Sequence, residues 1–242
     1  MLVLDRLHAH YGSAHVLHGV SLGVETGQIA CLIGRNGAGK STTLKAIMGV
    51  VRPSAGQITF KNERIDARPP YQIAARGLAW VPEDRRVFAS LSVEENIRVA
   101  SQALSGSSRR RADDALAFFA DLRARATQRA GSLSGGQQQM LAIARALASG
   151  PDLIMLDEPS EGLSPTMVAA IRAGILECRA RGVSILLVEQ NLALALAIGE
   201  LFFVISRGAV VHRATREQIL SNPSIVTEHL GVTAIKPVSK IV

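Results

Sequence analysis

Apolar and polar positions form two kinds of segment that alternate along the chain: short runs that are apolar throughout, and longer stretches with helical period. Continuously apolar runs are typical of strands that are buried on both faces. The alternation predicts an α/β fold in which a mainly parallel sheet carries helices on both sides. The predicted strands are Gln28–Ile33, Gly77–Val81, Leu153–Leu156, Val183–Val188 and Leu201–Ser206. The predicted helices are Lys40–Met48, Ser134–Leu147, Met167–Arg181 and Asn191–Ile198.

The first 30 residues follow a different pattern. Short β-type runs at Leu2–Leu7 and Gly19–Val24 flank the turn residues Tyr11-Gly12-Ser13. Runs of this kind around a turn predict an antiparallel edge or a small flanking sheet. We therefore expect an N-terminal antiparallel β subdomain beside the main sheet.

The segment from about Asp84 to Ser149 interrupts the alternation, because its helical patterns have no strand between them. We interpret residues 85–149 as an inserted α-helical subdomain. Residues 1–84 and 150–242 then form the core domain together with the N-terminal sheet. The predicted helices of the insert are Val93–Ala103, Ser108–Arg125 and Ser134–Ala148.

The composition is that of a folded globular protein. The 242 residues are 48% hydrophobic, with a mean hydropathy of +0.21, which argues against disorder. The longest apolar stretches, such as Leu192–Ile198, are far shorter than the roughly 18 residues of a membrane span. The N-terminal residues show no secretion signal, and Cys31 and Cys178 show no metal-ligand spacing, so we expect a cytosolic protein.

A phosphate-binding loop is predicted between the first apolar strand and the first helix. Residues 34–42 read Gly-Arg-Asn-Gly-Ala-Gly-Lys-Ser-Thr and fit the pattern G-x-x-x-x-G-K-[ST] in the required context. In such a loop the backbone N–H groups face phosphate oxygens, the lysine adds a positive charge, and the hydroxyl that follows can bind Mg²⁺. The candidate phosphate-binding residues are Gly34, Asn36, Gly37, Ala38, Gly39, Lys40, Ser41 and Thr42.

Two carboxylates stand at the end of another predicted strand. Asp157 and Glu158 follow the apolar run Leu153–Leu156, and strand alternation sends their side chains in different directions. Asp157 is the candidate for holding the hydration shell of Mg²⁺. Glu158 is the candidate for polarising a water molecule against a γ-phosphate.

A third motif opens the last helix of the insert and reads Leu-Ser-Gly-Gly-Gln from Leu133. Ser134 is a natural N-cap, while Gly135 and Gly136 would expose backbone N–H groups to an anion before Gln137. The chain therefore has two helix ends suited to phosphate, although one is enough to bind a nucleotide.

The order of these motifs resembles the ATP-binding subunit of an ABC transporter over nearly the whole chain. The resemblance implies a P-loop NTPase (RecA-like) core. It also implies that two subunits face each other head to tail, so that Ser134–Gln137 of one subunit closes on ATP held by the phosphate loop of the other. Tyr11 would stack on adenine, and Glu158 would act as the general base.

Three positions depart from the commonest pattern of that family. Glu83 stands where glutamine is usual, Gln190 replaces the switch histidine, and Ser164 stands where an aspartate is usual. With their flanking residues, these departures resemble the subgroup that serves importers of branched-chain and other hydrophobic amino acids, in particular the shorter of its two ATPase subunits. Glu83 is then expected to reach Mg²⁺ through water, which adds it to Ser41 and Asp157 as a metal candidate. Gln190 would position the attacking water or the γ-phosphate as a catalytic residue.

The resemblance implies an enzyme that hydrolyses ATP with Mg²⁺ and energises import of branched-chain or other hydrophobic amino acids. A related amide or urea importer is the alternative. The implied partners are a second ATPase subunit, identical or related, and permease subunits that dock near Glu83–Asn96. A periplasmic solute-binding protein would act indirectly, and the chain would lie peripherally on the cytoplasmic face of the inner or plasma membrane.

The charge balance suggests a different class of function, a nucleic-acid or repair ATPase. Lys and Arg number 27 against 20 Asp and Glu, which gives a net charge of +7 and a pI of about 10.1. However, Arg109–Arg111 has no interleaved aromatic residues, and only 4% of the chain is aromatic, so base-stacking surfaces are scarce. We therefore expect no nucleic-acid partner. An inactive regulatory subunit is disfavoured because Lys40, Asp157 and Glu158 are all present, and a kinase or GTPase would leave Leu133–Gln137 unused.

Overall fold

The computed structural model describes residues 1–102 and 115–230, which form two sheets with helices packed against them. The strands are β1 Leu2–Tyr11, β2 Ala14–Val24, β3 Ile29–Ile33, β4 Ala55–Phe60, β5 Glu63–Arg64, β6 Leu78–Val81, β7 Leu153–Asp157, β8 Ser184–Glu189, β9 Leu201–Ser206 and β10 Ala209–Thr215. The main helices are α1 Lys40–Ile47, α2 Pro70–Ala74, α3 Val93–Gln102, α4 Ala120–Arg123, α5 Gly135–Ala148, α6 Pro165–Ala180, α7 Leu192–Ile198, α8 Arg216–Ser221 and α9 Ser224–Leu230.

The larger sheet has six strands in the order β10-β9-β3-β8-β7-β6. Its five strands from β9 to β6 are parallel to one another, which confirms the α/β fold with a mainly parallel sheet. The sixth strand, β10, pairs antiparallel with β9 and was not predicted. Most of its side chains are partly or fully exposed, so it has no continuous apolar run that could reveal it.

The smaller sheet has four antiparallel strands in the order β2-β1-β4-β5. It confirms the expected N-terminal antiparallel sheet and extends it. Leu2 of β1 pairs with Val24 of β2 on one side and with Phe60 of β4 on the other. Strands β4 and β5 are additional, because half of β4 and all of β5 are exposed and carry little apolar signal.

The core consists of two hydrophobic clusters on opposite faces of the larger sheet. Alternate residues of β3 point into different clusters: Ile29, Cys31 and Ile33 pack on the helical side, while Ala30 and Leu32 pack toward the smaller sheet and α1. All five residues are fully buried. This two-sided burial is the reason that the strand is apolar at every position.

Between β6 and β7 the described residues form helices, with one isolated β-bridge. Helix α3 packs against α5, which begins after Ser134. The predicted helix Ser108–Arg125 lies partly outside the described residues, and in the described part it is wrong as one continuous helix. Phe119 has extended backbone angles (φ −130°, ψ 97°). Its ring packs on α6, where a Cβ at Gly174 would lie only 2.6 Å from Phe119 Cζ. The subdomain boundaries near residues 84 and 150 stay a prediction. No helix in the two described ranges combines the length and apolarity needed to cross a membrane.

Candidate functional site

The phosphate loop joins β3 to α1 and follows the backbone conformation that its glycines permit. Gly37 and Gly39 have positive φ angles of 78° and 108°, which side chains rarely tolerate. Gly34 lies against β9, where an added Cβ would be 2.5 Å from the carbonyl oxygen of Ile205. Helix α1 begins at Lys40, so its N-terminal N–H groups face the loop.

The ammonium group of Lys40 lies inside this loop, with 4% of the residue exposed. Its Nζ donates hydrogen bonds to the carbonyl oxygens of Gly34 (2.9 Å) and Arg35 (3.1 Å) and to Oδ1 of Asn36 (3.4 Å). It also forms an ion pair with Glu158, in which Nζ and Oε1 are 2.9 Å apart. The structure therefore brings together two of the residues that the sequence predicted, which lie 118 positions apart.

Asp157 ends β7 opposite the start of α1. The hydroxyl of Ser41 donates a hydrogen bond to Asp157 Oδ1 at 3.1 Å, so two of the three metal candidates are in contact. Burial raises the pKa of Asp157 to about 6; the Ser41 bond and Lys40 oppose this effect, while the charges of Glu158 and Glu83 add to it. A carboxyl group with this pKa is ionised at neutral pH and can bind a cation there.

Glu158 stands directly beyond β7, in a left-handed backbone conformation with φ 46°. Its side chain faces a cleft of about 330 Å³, the phosphate cleft. Glu83, the third metal candidate, also lines this cleft, and so does Glu161, which the sequence analysis missed. Glu161 is exposed, but its partial desolvation in the cleft raises its pKa, and the charges of Glu83 and Glu158 add to this effect. The cleft is lined by Val16, Asn36, Gly37, Gly39, Lys40, Ser41, Thr42, Glu83, Glu158 and Glu161.

The donor groups of the phosphate cleft suit Mg²⁺ held jointly with phosphate. Within the described ranges, no group of three or more His, Cys, Asp or Glu side chains is arranged to hold a metal ion by itself. Mg²⁺ keeps several waters and commonly binds one or two carboxylates together with substrate phosphates. The hydroxyl of Ser41 and the carboxylate of Glu83, which line the cleft, are oxygen donors of this type. Asp157 does not line the cleft, but its carboxylate is a further oxygen donor directly behind Ser41, to which it is hydrogen-bonded.

The predicted adenine contact, Tyr11, lies outside the lining of the phosphate cleft. Tyr11 is at the end of β1 and is 46% exposed. It is not among the residues that line the phosphate cleft, whereas Val16 of the neighbouring β2 is. The β1–β2 hairpin therefore reaches the cleft through Val16, for which the sequence offered no signal.

The signature, residues Leu133–Gln137, lies outside the phosphate cleft. Ser134 caps α5: its Oγ accepts from the N–H of Gln137, and Gln137 Oε1 accepts from the N–H of Ser134. Gln137 Nε2 also donates to Asp121 Oδ2 at 2.9 Å. Gly136 packs closely on Met167 of α6. The N-termini of α1 and α5, the two helix ends suited to bind phosphate, therefore do not belong to one cleft within a single chain.

The segment after β8 contains one predicted residue and one that the sequence analysis missed. Gln190 is exposed and does not line the phosphate cleft. The preceding Glu189 is 2% exposed, and its carboxylate accepts hydrogen bonds from the N–H groups of Ser160 (3.1 Å) and Asn191 (3.0 Å). A charged residue at the end of an otherwise apolar strand was the available signal for Glu189.

Comparison with known proteins agrees with this geometry. Residues 17–161 match the sequence profile described as ABC transporter. The chain belongs to this family. A high-affinity branched-chain amino acid transport ATP-binding protein, BraG of Pseudomonas aeruginosa, is 41% identical over 232 residues, which cover 96% of this chain and 100% of that protein.

Solved ABC structures share the fold. The structure of an ATP-binding subunit of an ABC transporter superposes with a TM-score of 0.82 at 32% identity, covering 93% of this chain and 94% of that one. A dimeric ATP-binding cassette in a post-hydrolysis state, bound to ADP and Pi, gives a TM-score of 0.80 at 25% identity, covering 89% and 99%. ABC cassettes bind and hydrolyse ATP, form dimers and work with transmembrane permease subunits, and this chain is an ATP hydrolase of that kind.

Proposed function

We propose that this ABC ATPase energises import of branched-chain or other hydrophobic amino acids. The observation that carries the proposal is the 41% identity to BraG, which extends over the full length of that protein. The departures at Glu83, Gln190 and Ser164 support it, since they are the positions on which the resemblance to this subgroup rests. A periplasmic solute-binding protein would deliver the solute, and the ATPase would act peripherally at the cytoplasmic face of the membrane.

In the proposed mechanism, Lys40 and the loop Gly34–Thr42 bind the ATP phosphates, and Tyr11 stacks on adenine. Ser41 and Asp157 would hold Mg²⁺, with Glu83 as a further ligand through water, and the ion would neutralise phosphate charge. Phosphoryl transfer of this type depends on positioning and on charge stabilisation.

Glu158 takes a proton from the attacking water, and Gln190 orients that water. An amide can donate and accept hydrogen bonds but cannot take up a proton at neutral pH, so the role of Gln190 is positional.

The signature supports a composite ATP site. The signature lies outside the phosphate cleft of its own chain, and the N–H groups of Ser134 and Gln137 are used in the helix cap. The N–H groups of Gly135 and Gly136 would therefore face the ATP of a second subunit, either a copy of this chain or a related ATPase. ATP would join the two subunits and hydrolysis would separate them. The surface at Glu83–Asn96, next to the phosphate cleft, would pass this movement to the permease.

The solute class is tested by uptake. Deletion of this chain in its own host should abolish ATP-dependent uptake of radiolabelled leucine, and the wild-type chain should restore it. Lys40→Ala, which removes the phosphate-binding charge, should not restore it, while the surface variant Glu177→Gln on the exposed face of α6 should restore it. Loss of urea or short-amide uptake with normal leucine uptake would favour the amide importer, and normal uptake of all these solutes would refute import of this class.

A further inference from the structure

Glu189 occupies the centre of the sheet edge where the ATP site lies. Strand β8 lies between β3, which leads into the phosphate loop, and β7, which leads to Glu158. In register, Glu189 pairs with Ile33, the residue before the loop. Its neighbour Val188 pairs with Asp157. Glu189 therefore lies between the strand that leads into the phosphate loop and the strand that leads to Glu158, although it does not line the phosphate cleft.

The Glu189 carboxylate joins two loops by accepted hydrogen bonds. Oε1 accepts from the N–H of Ser160, in the loop after Glu158, and Oε2 accepts from the N–H of Asn191, after Gln190. A third bond closes the ring, because Asn191 Nδ2 donates to the hydroxyl of Ser160 at 3.3 Å. Each carboxylate oxygen thus holds a different loop.

This arrangement keeps a buried carboxylate without a cationic partner. Within residues 1–102 and 115–230, no Lys, Arg or His forms a salt bridge with Glu189. Burying a charge is costly, and an uncharged side chain of similar size usually incurs a smaller penalty. The two accepted N–H bonds offset part of the cost of burying this carboxylate, and they are the contacts that an uncharged side chain could not make in full.

Glu158 is the residue that benefits from these bonds. Its left-handed backbone (φ 46°) is unfavourable for a residue with a side chain, so neighbouring contacts must hold it. On one side, the N–H of Glu158 donates to the carbonyl of Val188 at 2.9 Å. On the other side, two residues further on, the N–H of Ser160 donates to Glu189. The end of β8 therefore accepts two hydrogen bonds from the turn that carries Glu158, one at Val188 and one at Glu189.

We propose that Glu189 is a positioning residue for hydrolysis. It fixes the turn that aims the Glu158 carboxylate, and through Asn191 it fixes the segment that carries Gln190. Glu189 forms one hydrogen-bonded unit with Ser160 and Asn191. This unit fixes the position of Glu158 relative to Gln190. The proposal rests on the proposed function, since it takes Glu158 as the general base.

The decisive variant is Glu189→Gln, which keeps the size of the side chain but leaves one acceptor oxygen. One of the two backbone N–H groups then faces an amide NH₂ group, so one loop is released. We expect kcat for ATP to fall by about tenfold or more, because small displacements of a catalytic group are costly. The affinity for a fluorescent ATP analogue should change by less than about twofold, since the two N–H groups that Glu189 binds belong to Ser160 and Asn191, which lie outside the phosphate loop. The rate of ATP hydrolysis is divided by the amount of protein that binds the analogue, so that misfolded protein does not lower kcat.

Two comparisons sharpen the test. Ser160→Ala removes the hydroxyl but keeps the N–H that binds Glu189, so its loss of kcat should be smaller than that of Glu189→Gln. Glu177→Gln makes the same chemical change on an exposed surface and should leave kcat unchanged. Adding Glu189→Gln to Glu158→Gln should cause a smaller loss than Glu189→Gln causes alone, since Glu158 is then already disabled and only Gln190 can still be misplaced.

The outcomes separate this inference from the proposed function. If Glu158→Gln keeps the wild-type rate, the assignment of the base is wrong. If Glu158→Gln is inactive but Glu189→Gln keeps its kcat within about twofold, the positioning role is overturned. Equal losses of kcat and of analogue binding in Glu189→Gln would also overturn it, because they would indicate a general structural defect.

Discussion

Replacing Glu158 with glutamine should separate two contributions of this residue: the ion pair with Lys40 that stabilises the fold, and the proposed general base that acts in hydrolysis. Both side chains are nearly buried, with 3% and 9% exposed, and Nζ and Oε1 lie 2.9 Å apart. In the variant Lys40 keeps its three neutral oxygen acceptors and exchanges a carboxylate for an amide. A hydrogen bond to a charged group contributes about 1 kcal/mol more than a neutral one, so the free energy of unfolding should fall by about 1 kcal/mol.

The expected change in stability is small and the expected change in activity is large. For a chain of this size, about 1 kcal/mol lowers Tm by about 2–4 °C. Loss of a general base lowers kcat by about 10²–10⁴-fold. Thermal melting without nucleotide measures the first quantity, and steady-state release of phosphate with Mg²⁺ and ATP measures the second.

Glu161→Gln is the matched control, because Glu161 lines the same cleft but is exposed and forms no ion pair in the described part of the chain. It should change Tm by less than Glu158→Gln does. An unchanged Tm in Glu158→Gln would refute a stabilising contribution of the ion pair. A wild-type rate in that variant would refute the role of Glu158 as base.

Three further results are expected. Gln190→Ala should slow hydrolysis far less than Glu158→Gln, because glutamine only positions groups; equal losses in ATPase assays would contradict this. Because Asp157, with a pKa of about 6, must be ionised to bind a cation, Mg²⁺-dependent ADP affinity measured by calorimetry should fall up to about tenfold per pH unit below pH 6. Asp157→Asn should reduce this pH dependence to the part that comes from protonation of the ADP phosphate, and an unchanged pH dependence would exclude Asp157 as a titrating group. Burial raises the pKa of Cys178 to about 12 and also raises that of Cys31, so Ellman's reagent should label neither thiol in the native protein and both after denaturation; native labelling would reveal local opening.

The sequence predicted those parts of the fold in which burial leaves a one-dimensional pattern. Strands β3 and β8 are apolar throughout because both of their faces are covered, and the phosphate loop between β3 and α1 has residue types that its backbone requires. Strand β10 has one face toward solvent and gave no comparable pattern. At the helix break, the ring of Phe119 packs on Gly174, which lies more than 50 residues further along the chain. No local pattern of residues reveals a contact of this kind.

The candidate site shows the same division. The sequence motifs predicted four of its residues, and the structure brings them together in two pairs, Lys40 with Glu158 and Ser41 with Asp157. The hydrogen bonds of Glu189 could not be predicted, because the N–H groups that it binds, at Ser160 and Asn191, belong to the backbone and have no residue signature. Such contacts follow from the alignment of neighbouring strands, which a linear pattern does not encode.

The separation of the signature from the phosphate cleft has a kinetic consequence. If each ATP site needs the cleft of one chain and the signature of another, turnover by the free ATPase is second order in protein when the chains are dilute. Specific activity should then rise with concentration and level off once pairs predominate. A permease that holds two ATPase subunits side by side would replace this bulk concentration by a high local one. Membrane attachment would then set the reaction order of the enzyme as well as its position.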